Sequence, residues 1–316
     1  MTYEELKYRQ SWSLNQKIDH ALGVIEQFYN RLDGDVYVSF SGGRDSTVLL
    51  WLVRLIYPNV KAVFCNTRNE YPDIVKFVRG IDNVEIIYPE MKPKDVFAKH
   101  GFPLISKEIS QYIRSVQKNP SGLQSRRAMG LLTPEEKAKY KFKGEIPRKY
   151  WRLINLFNIS DRCCYELKKK PFKIYDKETG LHPMLGIMAD ESSQRANSYI
   201  NRGGCNSFNS KRINSHPMSI WIGDDVSFCI DKYKIPISPI YPKGAKRTGC
   251  MFCGFGCQFQ EDNRLQLVYD LYPKSYSMFM DYLNDGITYR EALRTVLAIN
   301  GLSLPDENKQ LKILFQ

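Results

Sequence analysis

Apolar residues recur at helical spacing through residues 3–32, where Leu14, Ile18, Leu22, Ile25 and Phe28 fall on one face. The period then changes. "DVYVSF" (35–40) alternates as a strand, and "DSTVLLWLVRLIY" (45–57) reads as a helix with Asp45 or Ser46 near its start. "VKAVFCNT" (60–67) reads as a second strand, "EYPDIVKFVRGI" as a helix and "VEIIYP" (84–89) as a third strand. Strands alternating with helices at this spacing predict βαβ units on a parallel sheet.

From about 101 to 160 the alternation loosens. "TPEEKAKY" carries a helix start, with Thr133 as N-cap, Pro134 in the first turn and Glu136 completing a capping box. Strand pattern returns in "HPMLGIMADES" (182–192) and "MSIWI" (218–222), and from 258 onward the chain reads as helical. The expected organisation is a helical segment at 1–34, an α/β domain at 35–257 with an insertion at about 105–160, and a helical region at 258–316. No repeat or low-complexity tract interrupts it.

Charge sharpens that picture. The 316-residue chain has a formal net charge of +12, and it is unevenly placed. Residues 107–152 hold twelve Lys or Arg against four Asp or Glu. Such a block suits a polyanion, and equally a solvated surface insertion. Tyr140, Phe142, Tyr150 and Trp151 lie within it, and aromatics among cations suit bases among phosphates. No apolar run is long enough to span a bilayer, and the first residues lack the apolar stretch of a secretory leader. The expectation is a cytoplasmic protein with no membrane partner, whose eight cysteines serve metal or redox chemistry rather than disulfides.

The stretch "SFSGGRDST" (39–47) joins the first strand to its helix. Two glycines let main-chain amides approach an anion, and the helix start adds its dipole. The Lys-Ser/Thr pair of a Walker loop and the spaced glycines of a dinucleotide turn are both missing. The order Ser39, Ser41, Gly42, Gly43, Asp45, Ser46 resembles the PP-loop of the ATP-pyrophosphatase superfamily, with Arg44 where Lys is common. That resemblance implies an adenine-nucleotide site: ATP with Mg2+, or a sulfonucleotide. Asp45 is the expected magnesium or nucleotide-site carboxylate, and helix capping is its plainer role.

Cys163 and Cys164 are adjacent, and Cys250 and Cys253 form Cys-x-x-Cys. Four thiolates suffice for zinc or an iron–sulfur cluster, and buried free thiols remain the plain alternative. Adjacent cysteines point apart in a strand, so a cubane with separate irons accepts them more easily than one zinc. Lys168 to Lys170, Lys243, Lys246 and Arg247 are expected to offset thiolate charge. Adjacent cysteines followed much later by Cys-x-x-Cys resemble adenylyl-sulfate reductases, which implies a four-iron four-sulfur cluster on these residues, with zinc the second choice. Cys257 is left as a ligand, a persulfide carrier or a core thiol. Cys65, Cys205 and Cys229 read as core.

Three further stretches are similar to the phosphoadenosine-phosphosulfate reductase family. They are "GIMADESSQRA" (186–196), "NTRNEYP" (66–72) and the run at 216–250. The resemblance implies a parallel sheet of the adenine-nucleotide α-hydrolase type flanked by helices, with ligand at the strands' carboxyl ends. It adds Thr67, Glu70, Ser192 and Arg195 to the nucleotide site, while Met188 stands where Arg is usual. The reductases' C-terminal Glu-Cys-Gly-Leu-His tail has no counterpart after Cys257.

Three functions follow as expectations. The first is an adenylating sulfurtransferase acting on nucleic acid (DNA or tRNA thiolation type), with Asp45, Arg44 and Cys257 as catalytic candidates and a cysteine desulfurase as sulfur donor. The second is a reductase of adenylyl or phosphoadenylyl sulfate. The third is a non-catalytic, cluster-bearing nucleotide-binding subunit. Histidine-based metal sites and a Gly-x-Ser-x-Gly hydrolase elbow have no support in the chain.

Overall fold

Strand β1 (Val36–Ser39) is almost wholly buried, because both faces of a parallel strand are covered. In the computed structural model, which describes residues 1–139, 144–246 and 248–307, the chain folds as two compact units. The first comprises Met1–Asn66, Glu70–Tyr88 and Pro171–Gly249. The second comprises Thr67–Asn69, Pro89–Lys170 and Cys250–Gln316.

The first unit holds a six-stranded sheet. With β2 (Ala62–Cys65), β3 (Val84–Ile87), β4 (His182–Leu185), β5 (Asn206–Ser207) and β6 (Asn214–Ser215), its order is β3-β2-β1-β4-β6-β5. All pairings are parallel except β5 with β6, which closes one edge. Register is set at Val38↔Ala62 and Val36↔His182. This is the expected parallel α/β sheet flanked by helices.

The flanking helices include α1 (Tyr3–Gln10), α2 (Leu14–Arg31), α3 (Arg44–Ile56), α4 (Pro72–Arg79), α5 (Ser193–Arg202) and α6 (Gly223–Tyr233). The single helix expected over 3–32 is two. Ser13 starts α2 with a capping box to Gln16, so the chain breaks at Ser11–Ser13. Lys17 of α2 is buried and reaches Asp225 of α6 at 2.6 Å. Beneath the sheet, Tyr37, Val63 and Tyr175 pack with Phe172, Ile87 and Leu181.

The strand expected at 218–222 is absent. Met218, Ile220 and Trp221 are fully buried, but in a turn: the Ser219 amide and hydroxyl both donate to the His216 carbonyl, at 3.0 and 2.8 Å. A short apolar run reads the same whether its burial comes from a sheet or a folded loop.

In the second unit, helices Lys107–Lys118, Leu123–Ala128 and Pro134–Lys139 carry the basic segment. The capping box at Thr133 forms as expected: the Thr133 amide donates to Glu136 Oε2 at 3.0 Å, and the Glu136 amide to Thr133 Oγ1 at 3.3 Å. The C-terminal region is helical at Arg264–Leu271, Pro273–Met280 and Tyr289–Ile299, broken where Pro273 restarts the chain. Leu104–Ile105 pairs in parallel with Gly254–Phe255. Among the described residues no helix is long and apolar enough to cross a membrane.

Candidate functional site

In the first unit the glycine turn leads from β1 into α3, with Gly43 as N-cap. Gly42 has φ +70°, and a Cβ there would lie 2.8 Å from Ile74 Cγ2 and 2.9 Å from Val78 Cγ2. Only glycine accepts both the left-handed backbone and the pressure of α4. Hydroxyls close the turn. The Ser41 amide donates to Ser46 Oγ at 3.2 Å, the two serine oxygens lie 2.9 Å apart, and the Gly43 amide donates to Ser41 Oγ at 3.3 Å. Ser46 and Thr47 hydroxyls donate to the Gly43 carbonyl at 3.0 and 2.9 Å. Ser39 ends β1, half-buried.

Asp45 stands in the first turn of α3. Burial raises its carboxyl above the ordinary value, and Arg44 and Arg195 oppose that rise. Arg195 lies in α5, whose N-cap Ser192 accepts the Arg195 amide at 3.3 Å. Arg195 also pairs with Glu191. The unit therefore brings the glycine turn, Asp45 and Arg195 into one electrostatic neighbourhood. Met188 is buried, with its amide donating to Glu191 at 3.1 Å. Glu70 belongs to this unit and Thr67 to the other, where Thr67 is buried and its Oγ1 accepts the Asn69 amide at 3.3 Å.

The second unit gathers all four predicted cysteines. Cys163, Cys164, Cys250 and Cys253 line one cavity with Asn69, Phe97, Pro103, Leu167 and Phe252. The adjacent pair lies on a helix, not a strand. Helical Arg162–Cys164 runs into a π turn, Tyr165–Lys169, of the kind that concentrates at functional positions. A hydrogen bond between the pair leaves the proton on Cys163, raised first by that bond and then by burial. The same bond, with Lys168 and Lys107 nearby, lowers Cys164 to about 6.

The fit of a metal group rests on these donors. As the side chains stand, no three of the His, Cys, Asp or Glu residues converge tightly enough to hold a metal ion, among the described residues. A single zinc needs sulfurs at about 2.3 Å, so it demands that convergence. A multi-iron cluster spreads its ligands around its own bulk, and four soft sulfurs on one cavity match its donor set.

Two residues that pattern reading missed hold this loop. The Asn69 carbonyl accepts the Met251 amide at 2.7 Å, and its Oδ1 accepts the Phe252 amide at 3.3 Å. Arg264 is fixed by Asp262, donating through Nε at 2.9 Å, and its charge opposes the burial penalty on Cys253. Asn69 sits inside the "NTRNEYP" stretch, where only Thr67 and Glu70 were singled out, and Arg264 sits in no motif. Of the cations expected to offset the thiolates, Lys168 acts on Cys164, Lys170 pairs with Glu90, and Lys243 pairs with Asp73 in the first unit. The Lys246 carbonyl, in that same unit, faces Arg44. Arg247 lies outside the described residues.

Cys257 is buried beside this loop, and burial pushes its thiol up to about 12, which keeps it protonated at neutral pH. Cys65, Cys205 and Cys229 are buried as expected of core thiols. In the basic segment, Tyr150 is a core residue rather than a stacking platform: it is 3% exposed and donates to Asn300 Oδ1 at 3.1 Å. Trp151 is half-buried, with Nε1 donating to the Ile146 carbonyl at 2.9 Å. Tyr140 and Phe142 lie outside the described residues. Lys107, Lys118, Lys137, Arg148 and Arg152 are exposed and take part in no ion pair among the described residues.

The family model of the phosphoadenosine phosphosulfate reductase domain matches residues 35–88 and 106–254. The chain belongs to that family. The match leaves out 1–34, 89–105 and everything after 254, so Arg264 and Cys257 lie beyond the matched residues. An uncharacterized protein of Methanocaldococcus jannaschii is 24% identical over 275 residues, covering 84% of this chain and 45% of its own length. The chain thus spans about half of that relative. An adenosine 5'-phosphosulfate reductase of Staphylococcus haemolyticus is 24% identical over 270 residues, covering 84% of this chain and 90% of its own. Among solved structures, a phosphoadenylyl-sulfate reductase from Candida auris aligns with a TM-score of 0.42 at 14% identity, over 79% of this chain and 96% of its own.

Proposed function

We propose that the protein is an adenylating sulfurtransferase of this family, acting on nucleic acid, with an iron–sulfur cluster on Cys163, Cys164, Cys250 and Cys253. The observation that carries the reading is how the cysteines divide. Four line one cavity, and the other four are all buried. No thiol outside that cavity is therefore exposed, among the described residues, for attack on a sulfonucleotide's sulfur, the step a reductase requires.

In this reading the glycine turn and the α3 amides hold the β- and γ-phosphates of ATP, and Asp45 holds Mg2+. Arg44 and Arg195 steady the charge that builds at the α-phosphate. A base carbonyl oxygen of the nucleic acid attacks that phosphorus, and pyrophosphate leaves. Hydrosulfide then adds at the activated carbon, AMP departs with the oxygen, and carbon keeps sulfur. A bound cluster supplies soft iron sites that retain sulfur. Asn69 and Arg264 fix the loop that bears Cys250 and Cys253, and the exposed cations from Lys107 to Arg152 hold the polyanion.

A reductase of adenylyl or phosphoadenylyl sulfate is the second reading, favoured by the staphylococcal relative's name. Cluster-loaded protein is incubated with ATP, Mg2+, hydrosulfide and RNA in one tube, and with sulfonucleotide and a thiol reductant in another. AMP and pyrophosphate in the first, without sulfite in the second, is the expected result. Sulfite in the second tube alone replaces the proposal with the reductase.

A further inference from the structure

Tyr241 lies directly on the glycine turn. The Arg44 amide, first in α3, donates to the Tyr241 hydroxyl at 2.9 Å. Thr248 Oγ1 lies 3.1 Å from the same hydroxyl. The Arg44 guanidinium sits over the Tyr241 ring at 5.1 Å and reaches the Lys246 carbonyl at 3.5 Å. A Cβ on Gly43 would stand 2.6 Å from Thr248 Oγ1 and 3.4 Å from the Tyr241 hydroxyl. All of these groups belong to the first unit.

The opening amides of a helix have no partner inside it, and they are the donors an anion takes. Here the first is already satisfied by a neutral hydroxyl. We propose that Tyr241 is a resident competitor for phosphate: an incoming oxyanion displaces its hydroxyl from the Arg44 amide, and Tyr241 thereby sets the affinity and the ligand class of the loop. This rests on reading the turn as a phosphate site. An anionic oxygen makes a charge-assisted bond, roughly twice as strong as the one it replaces. A neutral ligand gains nothing by the exchange, so the strap selects for oxyanions.

The thermodynamic consequence has a definite sign. Tyr241→Phe leaves the Arg44 amide without its acceptor in the empty protein and changes nothing in the occupied one. Binding is then tighter by the net value of one hydrogen bond, about fivefold. Full-length wild type, Tyr241→Phe and Thr248→Val are titrated calorimetrically with inorganic pyrophosphate, and melting temperatures are taken with and without it. Tyr241→Phe is expected to bind about fivefold tighter, melting lower than wild type when empty and level with it when saturated. Thr248→Val, which releases the phenol, shifts affinity the same way by less. Equal or weaker binding by Tyr241→Phe, with wild type still binding, overturns the displacement. If wild type binds no pyrophosphate, the phosphate reading of the turn falls, and this inference with it.

Discussion

Gly42 and Asp45 show how much of the nucleotide loop is decided by single side chains. Gly42→Ala forces a left-handed backbone on a residue with a Cβ and drives that carbon into Ile74 and Val78. It should destabilise the protein by about 2–4 kcal/mol and abolish pyrophosphate binding, read by thermal melts and calorimetry. Asp45 acts in the opposite direction. Burial raises its carboxyl, so ionising it costs folding free energy at neutral pH, and the cost vanishes only below the unfolded value of 3.8. Asp45→Asn should therefore melt higher than wild type at pH 7. The advantage should shrink as pH falls through the raised pKa and be gone below about 3.8, while Mg2+-dependent nucleotide binding is lost throughout. A variant with no gain at pH 7 would mean the carboxylate is stabilised where it stands.

At the level of elements, legibility followed locality. The glycine turn, the parallel strands at 36–39, 62–65 and 84–87, and the capped helix at Pro134–Lys139 each carry their cause within a few residues. The four cysteines could be paired as a set by resemblance, and the fold does bring them to one cavity. What failed depended on bonds that hydrophobic periodicity does not show. The apolar run at 218–222 is buried in a turn because serine bonds fold it, and Tyr150 is core because Asn300 waits 150 residues away. Asn69 lay in a recognised stretch but its role did not show there, and Arg264 carries no pattern, since the value of both comes from the loop they hold. Tyr150→Phe tests that placement: it should cost about 1 kcal/mol in denaturant unfolding and leave nucleic-acid affinity unchanged. Loss of affinity without loss of stability would return the residue to the binding surface.

For the whole molecule, the net charge of +12 sets how it meets a polyanion. Lys118, Arg148 and Arg152 are exposed and take part in no ion pair among the described residues, so the charge is available to phosphates. Reversing all three to Glu should weaken single-stranded RNA binding and flatten the slope of log affinity against log salt by up to about 2, at roughly 0.7 for each phosphate left unneutralised. An unchanged slope would place the polyanion elsewhere. The proposed chemistry also needs the four-cysteine site to carry iron. The most direct measurement is iron, zinc and acid-labile sulfide analysis of anaerobically purified protein beside Cys250→Ser. The account predicts about four iron and four sulfide per chain, with most of both lost in the variant. Stoichiometric zinc with no sulfide, or iron that Cys250→Ser leaves in place, would contradict it.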